Sequence, residues 1–282
     1  LFLTLFFEFY VHYTNNYNYL NCSLLGLLYA LIGLNIQHDA NHGAISKNPN
    51  INRILGLTQN YIGGSAINWI HQHVVQHHIY TNDVNDDPDI MGSDILRLNP
   101  LQKILPIHSY QYIYTFLIIG LFGFITIINS TKSLIDGIIH TPMTSYTIKY
   151  RKQEFLCTIF FILRWILLPI YSSKSVYTLI YTLPLYFVAG YYLAFFFIIS
   201  HNFENVVSFD KNTKYGFLRR QVMSSSNVGG SWLCFINGGL NYQIEHHLFP
   251  RISHVHYPKI SHVVKKYCND KNIPYIHFPS VY

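Results

Sequence analysis

Residues 20–42 read LNCSLLGLLYALIGLNIQHDANH. The stretch from Leu20 to Gln37 carries no charge and is about as short as a bilayer-spanning helix can be. It passes without a turn signal into His38-Asp39-Ala40-Asn41-His42. Histidines at i and i+4 lie on one helix face, about 5–6 Å apart at Cβ. His38 and His42 can therefore reach one metal ion or two adjacent ones. Taken alone, this pair reads equally well as two interfacial histidines. Asp39 is placed to accept the second ring N–H of a ligand histidine.

The rest of the chain agrees with a membrane reading. Of 282 residues, 50% are apolar, 17% aromatic and only 11% charged, against about 25% charged in soluble domains. This excludes a disordered chain and an ordinary soluble enzyme. Tyrosines gather at the ends of apolar blocks, where an amphipathic ring suits the membrane interface. The net charge of +6 comes without a basic run, which argues against nucleic acid as a partner. Cys22, Cys157, Cys234 and Cys268 are scattered, with no CxxC, so neither a disulfide framework nor a zinc ribbon is present. The chain opens at Leu1 inside an apolar run and is read as N-terminally truncated. Residues 1–282 are read as a single membrane domain.

The apolar blocks are Leu1–Val11, the block at 20–37, Tyr112–Ile128, Phe155–Tyr171 and Val176–Ile199. If the histidines form one site, 38–78, 201 and 246–247 must lie on one side of the membrane. Three strong blocks separate His78 from His201, so one of them does not cross. The net positive loop 131–154 belongs on the cytoplasmic side, which makes Tyr112–Ile128 the interfacial or re-entrant block. The expected fold is an all-α integral membrane protein. Four transmembrane helices form two hairpins, turning at Asn15–Asn21 and Ser172–Ser175, and carry a helical cap. Arg164, near the middle of its block, needs a partner or a snorkelling path.

Two further histidine groups stand out. In His73-Val74-Val75-Gln76-His77-His78, His73 and His77 share a face and His78 turns about a third of the way round, so one short helix presents ligands in two directions. In Gln243-Ile244-Glu245-His246-His247, all three polar side chains at 243, 246 and 247 can converge. His201 stands just past the fifth block. Alone it reads as a hydrogen-bonded interfacial residue, but its place at a membrane exit, like that of His38, favours a ligand. His71 breaks the pattern and is read as a surface or supporting histidine. His38, His42, His73, His77, His78, His201, His246 and His247 are enough for two metals with an open position each. No cysteine joins them, and two imidazole-bound irons at a membrane surface suit O₂ activation and attack on an unactivated C–H bond.

These motifs resemble the membrane fatty acid desaturase family, in particular its front-end branch. HDANH is similar to the first histidine box, and HVVQHH followed by IYTNDVNDDPDI to the second. QVMSSSNVGGSWLCFINGGLNYQIEHHLFPRISHVHYPKI resembles the third, with the glutamine of QxxHH as the front-end mark. FIISHNFENV resembles the segment bearing the family's lone histidine ligand. The resemblance runs from about residue 20 to 270.

It implies four transmembrane helices under a cytosolic cap holding a di-iron centre, in the endoplasmic reticulum membrane. It further implies O₂-dependent insertion of a cis double bond between the carboxyl end and an existing double bond of a long acyl chain. The acyl carrier is CoA or a phospholipid, and electrons come from cytochrome b5 and its NADH reductase. HNFE and the TND…DPD tail lean toward delta-4 or delta-5 members. The stearoyl-CoA branch has an Asn four residues before its lone histidine; here Phe197 stands there, and Asn227 is the candidate for that water-mediated contact. Gln243 either ligates weakly or holds a water. An apolar tunnel lined by residues such as Trp69, Trp232 and Phe235 is expected, with ordinary core packing the alternative for each aromatic. Rival readings are a sphingolipid long-chain-base delta-8 desaturase, a lipid hydroxylase or, from another class, a membrane metal transporter. The last is opposed by histidines that flank the apolar blocks rather than lie within them.

Overall fold

In the computed structural model, which describes residues 1–91, 94–136 and 144–280, helix α1 (Phe2–Tyr13) turns at Thr14–Asn18 into α2 (Tyr19–Asn41). Asn18 caps α2, its side chain accepting the Asn21 N–H at 2.9 Å. The second hairpin is α7 (Thr144–Ser173) and α8 (Thr178–His201). The two turns meet at one end of the bundle: Asn15 Nδ2 donates to the Ser172 carbonyl at 3.3 Å, and Ser172 Oγ donates to Asn15 Oδ1 at 3.0 Å. Among the described residues, α2, α7 and α8 are long and apolar enough to cross a membrane. Between them lie α3 (Pro49–Gly56), α4 (66–80), α5 (Pro106–Gly120) and α6 (Phe122–Asp136).

The block read as Tyr112–Ile128 is broken. α5 and the following helix meet at a 55° bend, as a broken span or a re-entrant segment would. Beyond the bend α6 crosses α8 almost backbone on backbone. A Cβ on Gly123 would lie 2.3 Å from the Tyr186 carbonyl oxygen, and one on Gly190 would lie 2.2 Å from the Gly123 nitrogen. Only glycine admits this approach. The loop expected at 131–154 is largely helical instead. Residues 137–143 of it lie outside the described residues, but α7 already begins at Thr144, and one face of its polar first turns is held by Arg53 of α3, which bonds to Tyr146, Gln153 and Glu154. Glu154, wholly buried, accepts Arg53 Nη2 at 3.0 Å, Asn60 Nδ2 at 2.7 Å and Ser65 Oγ at 2.8 Å.

The bundle core packs Val11, Cys22, Leu25, Tyr29, Phe161, Trp165 and Leu185 together. Arg164 finds its partner there in Glu8 of α1. The polar C-terminal third adds α9 (Phe217–Met223), α10 (Gln243–Leu248) and α11 (Tyr257–Asp270). A short parallel pairing joins β1 (Asn227–Val228) to β2 (His277–Phe278). This third packs around Phe209, Val222, Ile244, Val264 and Cys268, on the histidine-bearing ends of α2 and α8.

Candidate metal centre

Local winding differs from the expectation of regular α-helix. α2 changes to a π-turn at Gly33–Gln37 immediately before His38, and Ile70–His77 is π-helical throughout. In an i→i+5 winding, residues four and five positions on straddle the direction of the first. His77 and His78 therefore both come back to His73, at ring-centroid distances of 5.2 and 4.9 Å, while standing 5.9 Å apart. Such π-segments are frequent at functional sites.

All eight histidines singled out in the sequence are buried and converge. Ring nitrogens of His38, His42, His73 and His246 lie within 4.8 Å of one another, as do those of His77, His201 and His247. His78 joins the two lobes through His246 and His247. Facing Nε2 atoms are 3.0 Å apart for His78 and His246, 3.2 Å for His77 and His201, and 3.1 Å for His247 and His201. With metal–nitrogen bonds of about 2.0–2.1 Å, ligands at right angles on one ion are about 3 Å apart, so these spacings fit shared ions. His38 Nδ1 and Nε2, His42 Nε2, His73 Nε2 and Gln243 Oε1 are buried with no hydrogen-bond partner. Orphaned buried donors and acceptors of this kind call for an ion or water. Burial holds His42, His73, His78, His246 and His247 well below the ordinary histidine range, so they are neutral and ready to ligate. The donor set therefore fits two nitrogen-ligated metals. His71 joins none of these groups.

Gln243 sits in the second lobe. Its amide nitrogen is 2.7 Å from His201 Nε2 and 3.2 Å from His247 Nε2, and a half-turn of the amide puts the carbonyl oxygen there. Gln221 Oε1 lies 2.9 Å from the other nitrogen of His247, and Tyr257 OH lies 3.2 Å from His246 Nδ1.

The supporting carboxylate is not the expected one. Asp39 lies 4.0 Å from His38 Nδ1, too far for a hydrogen bond. It accepts instead from Ser253 Oγ at 2.7 Å and from the His254 backbone N–H at 3.2 Å, with His254 Nδ1 at 2.9 Å. Asp39 thus ties the first histidine pair to the turn at 253–254. The role expected of it belongs to Asp87, whose oxygens lie 3.0 and 3.2 Å from His77 Nδ1, with Asp89 at 3.3 Å. Burial alone would lower His77, but Asp87 and Asp89 outweigh it and push its pKa up to about 9. The signal in the sequence was the group of acids at 83–89, separated from HVVQHH by four residues.

Asn227, the candidate for the water-mediated contact, is hydrogen-bonded directly to Ile244, Glu245 and Tyr275. Its Oδ1 accepts the Ile244 N–H at 3.0 Å and its Nδ2 lies 2.7 Å from both Glu245 Oε2 and Tyr275 OH, so it anchors the start of α10. Phe197 offers an apolar wall, its ring 6.2 Å from that of His73. Trp69 lies against the first lobe, 4.5 Å from His73 and 5.4 Å from both His38 and His42. Trp232 and Phe235 do not line an interior tunnel: they are 64% and 79% exposed.

A family model described as fatty acid desaturase matches residues 15–279. The chain is 41% identical over 270 residues to an acyl-lipid (7-3)-desaturase of Rebecca salina, covering 92% of this chain and 60% of that protein. It is 40% identical to the acyl-lipid (7-3)-desaturase of Diacronema lutheri, covering 91% and 59%. To Delta(5) fatty acid desaturase A of Dictyostelium discoideum it is 33% identical, covering 98% and 63%. The chain thus spans about three fifths of the length of these relatives.

Proposed function

Because the chain belongs to the fatty acid desaturase family, we propose that it is the desaturase unit of a front-end enzyme acting on lipid-linked polyunsaturated acyl chains. The observation that carries this reading is the convergence of the eight histidines and Gln243 into two adjoining lobes at one end of an apolar bundle. The relatives named (7-3)- and Delta(5) desaturases support a double bond near the carboxyl end. Four crossings, contributed by α1, α2, α7 and α8, are proposed, with α5 and α6 re-entrant and the histidines on the cytosolic side. The proposed location is the endoplasmic reticulum membrane. Cytochrome b5 and its NADH reductase are the proposed electron donors.

When bound, two irons would supply the reduction of O₂ and the removal of two hydrogens from the acyl chain. His38, His42, His73 and His246 would hold one, His77, His201 and His247 the other, with His78 beside both. Asp87 accepts the His77 Nδ1 proton and so turns Nε2 toward the second lobe. Trp69 and Phe197 keep water from the first lobe. Expression in a yeast host fed candidate polyunsaturated acids, with double-bond mapping of the products, tests the reading. The chain is compared with and without a cytochrome b5 domain. A hydroxylated product, or a new bond on the methyl side of the existing ones, would overturn it.

A further inference from the structure

Residues 231–240 leave the histidine site and return to it. The stem of this loop is closed by Val228 N–H to the Asn241 carbonyl at 2.9 Å and Asn241 Nδ2 to the Gly230 carbonyl at 3.0 Å. The chain then makes two short helical turns, Ser231–Leu233 and Cys234–Asn237, and reverses at Gly238 and Gly239 with φ of 61° and 78°. Gly238 is pressed on the α2 backbone, where an added Cβ would lie 2.1 Å from the Leu34 carbonyl oxygen.

The height of the tip is set by α8. Tyr192 OH donates to the Ile236 carbonyl at 2.8 Å. Tyr192 precedes His201 by nine residues, about 13 Å along the helix axis and away from the metal centre. On the way back, Leu240 is beside Ser200, whose Oγ donates to its carbonyl at 3.4 Å, and packs with Leu34 and Phe196. The loop therefore dips below the histidines, alongside the apolar length of a helix able to cross a membrane. Its large side chains do not turn inward at that depth. Trp232 and Phe235 are 64% and 79% exposed, next to a half-exposed Ile236. That apolar surface is left open by the described residues, and removing it from water is favourable.

We propose that residues 231–237 are a wedge inserted into the bilayer, with Trp232 and Phe235 against phospholipid acyl chains. The proposal rests on α8 being a membrane span. Tryptophan and its neighbours suit such interfacial depth.

The test uses the intact chain reconstituted in phosphatidylcholine vesicles that include lipid brominated on its acyl chains. The chain has Trp69, Trp165 and Trp232, so the difference between wild type and Trp232→Phe isolates one fluorophore. The expected result is loss in Trp232→Phe of a component quenched by brominated lipid and shielded from aqueous iodide. Phe235→Trp should add a second such component. A Trp232 component quenched by iodide and not by brominated lipid, as for a face open to water or covered by a protein partner, overturns the wedge. Flotation with the vesicles separates the two premises. A chain that floats while Trp232 stays in water sinks the wedge alone, and a chain that does not float sinks the membrane reading as well.

Discussion

Arg164 and Glu8 form a two-point ion pair inside the apolar bundle, Nε to Oε1 at 2.6 Å and Nη2 to Oε2 at 2.9 Å. The Tyr29 hydroxyl receives Arg164 Nη2 at 2.5 Å and Trp165 Nε1 at 2.8 Å, and donates to Glu8 Oε2 at 2.7 Å. Tyr61 also donates to that carboxylate, and its ring lies 4.1 Å from the guanidinium carbon. An arginine at the centre of a span costs about 2.5–3.5 kcal/mol on insertion scales. Here the charge is neutralised, stacked on a ring and hydrogen-bonded. The pair also fastens α1 to α7, and α7 winds as a π-turn at Leu163–Leu167 where it does so.

Removing the carboxylate leaves a buried cation with no counter-charge. Glu8→Ala should destabilise the protein by about 3–5 kcal/mol, the usual cost of breaking a buried pair from one side. Glu8→Ala combined with Arg164→Met should recover a large part of that loss. Thermal unfolding of the purified variants in detergent measures both. A double variant no more stable than the single one would contradict a pair that acts mainly by neutralising Arg164.

The contact of Asn15 with Ser172 places the two hairpin turns at one end and the histidines at the other. Glycosylation acceptors inserted at 15–18 or 172–175 should be modified, and an acceptor beside Lys149 should not. Modification near Lys149 would put α7 the other way up and remove the shared histidine site with it.

Much of the site was legible because histidine spacing is a local property: i and i+4 pairs declare a face whatever surrounds them. The apolar blocks were legible for the same reason. What composition could not show was winding, since a π-turn at Gly33–Gln37 or Ile70–His77 keeps the residues of an α-helix and changes only their angles. Partners distant in sequence were equally hidden. Arg164 visibly needed one, but Glu8 lies 156 residues away. Asp39 was assigned by adjacency to His38, whereas the fold brings His254 to it from 215 residues away. Trp232 and Phe235 were placed inside because apolar residues usually are; in a membrane protein an apolar side chain can satisfy itself equally well on the outside.

Asp87 gives a test of how the second lobe is held. It fixes His77 through Nδ1 and also accepts the Asn82 N–H at 2.8 Å, while Asn82 Nδ2 donates to the His201 carbonyl at 3.1 Å. One carboxylate therefore orients the His77 ring and, through Asn82, is tied to the backbone of His201. Asp87→Ala should weaken metal retention by about 10–100-fold, the usual effect of removing a carboxylate behind a ligand histidine. Asp87→Asn, which keeps an acceptor without the charge, should fall between. Iron content after stepwise exposure to a chelator gives the ranking. Equal retention by Asp87→Ala and wild type would reduce Asp87 to a loop-shaping residue.

Gln243 offers a test that separates metal binding from chemistry. Its amide lies 2.7 Å from His201 Nε2 and 3.2 Å from His247 Nε2, and its Oε1 is buried without a partner. A neutral amide oxygen is a much weaker ligand for iron than imidazole, so losing it should release little metal. The same position borders the second lobe, where the amide, directly or through a water, would act on a metal held there. Gln243→Ala should therefore keep most of the iron and lose most of the desaturation, whereas His246→Ala or His247→Ala should lose both. Iron content and product yield measured on the same purified variants distinguish these outcomes. Full turnover by Gln243→Ala would make the glutamine an ordinary helix-face residue and leave His246 and His247 as the whole contribution of α10. Loss of iron in step with turnover would instead make Gln243 a ligand in the full sense.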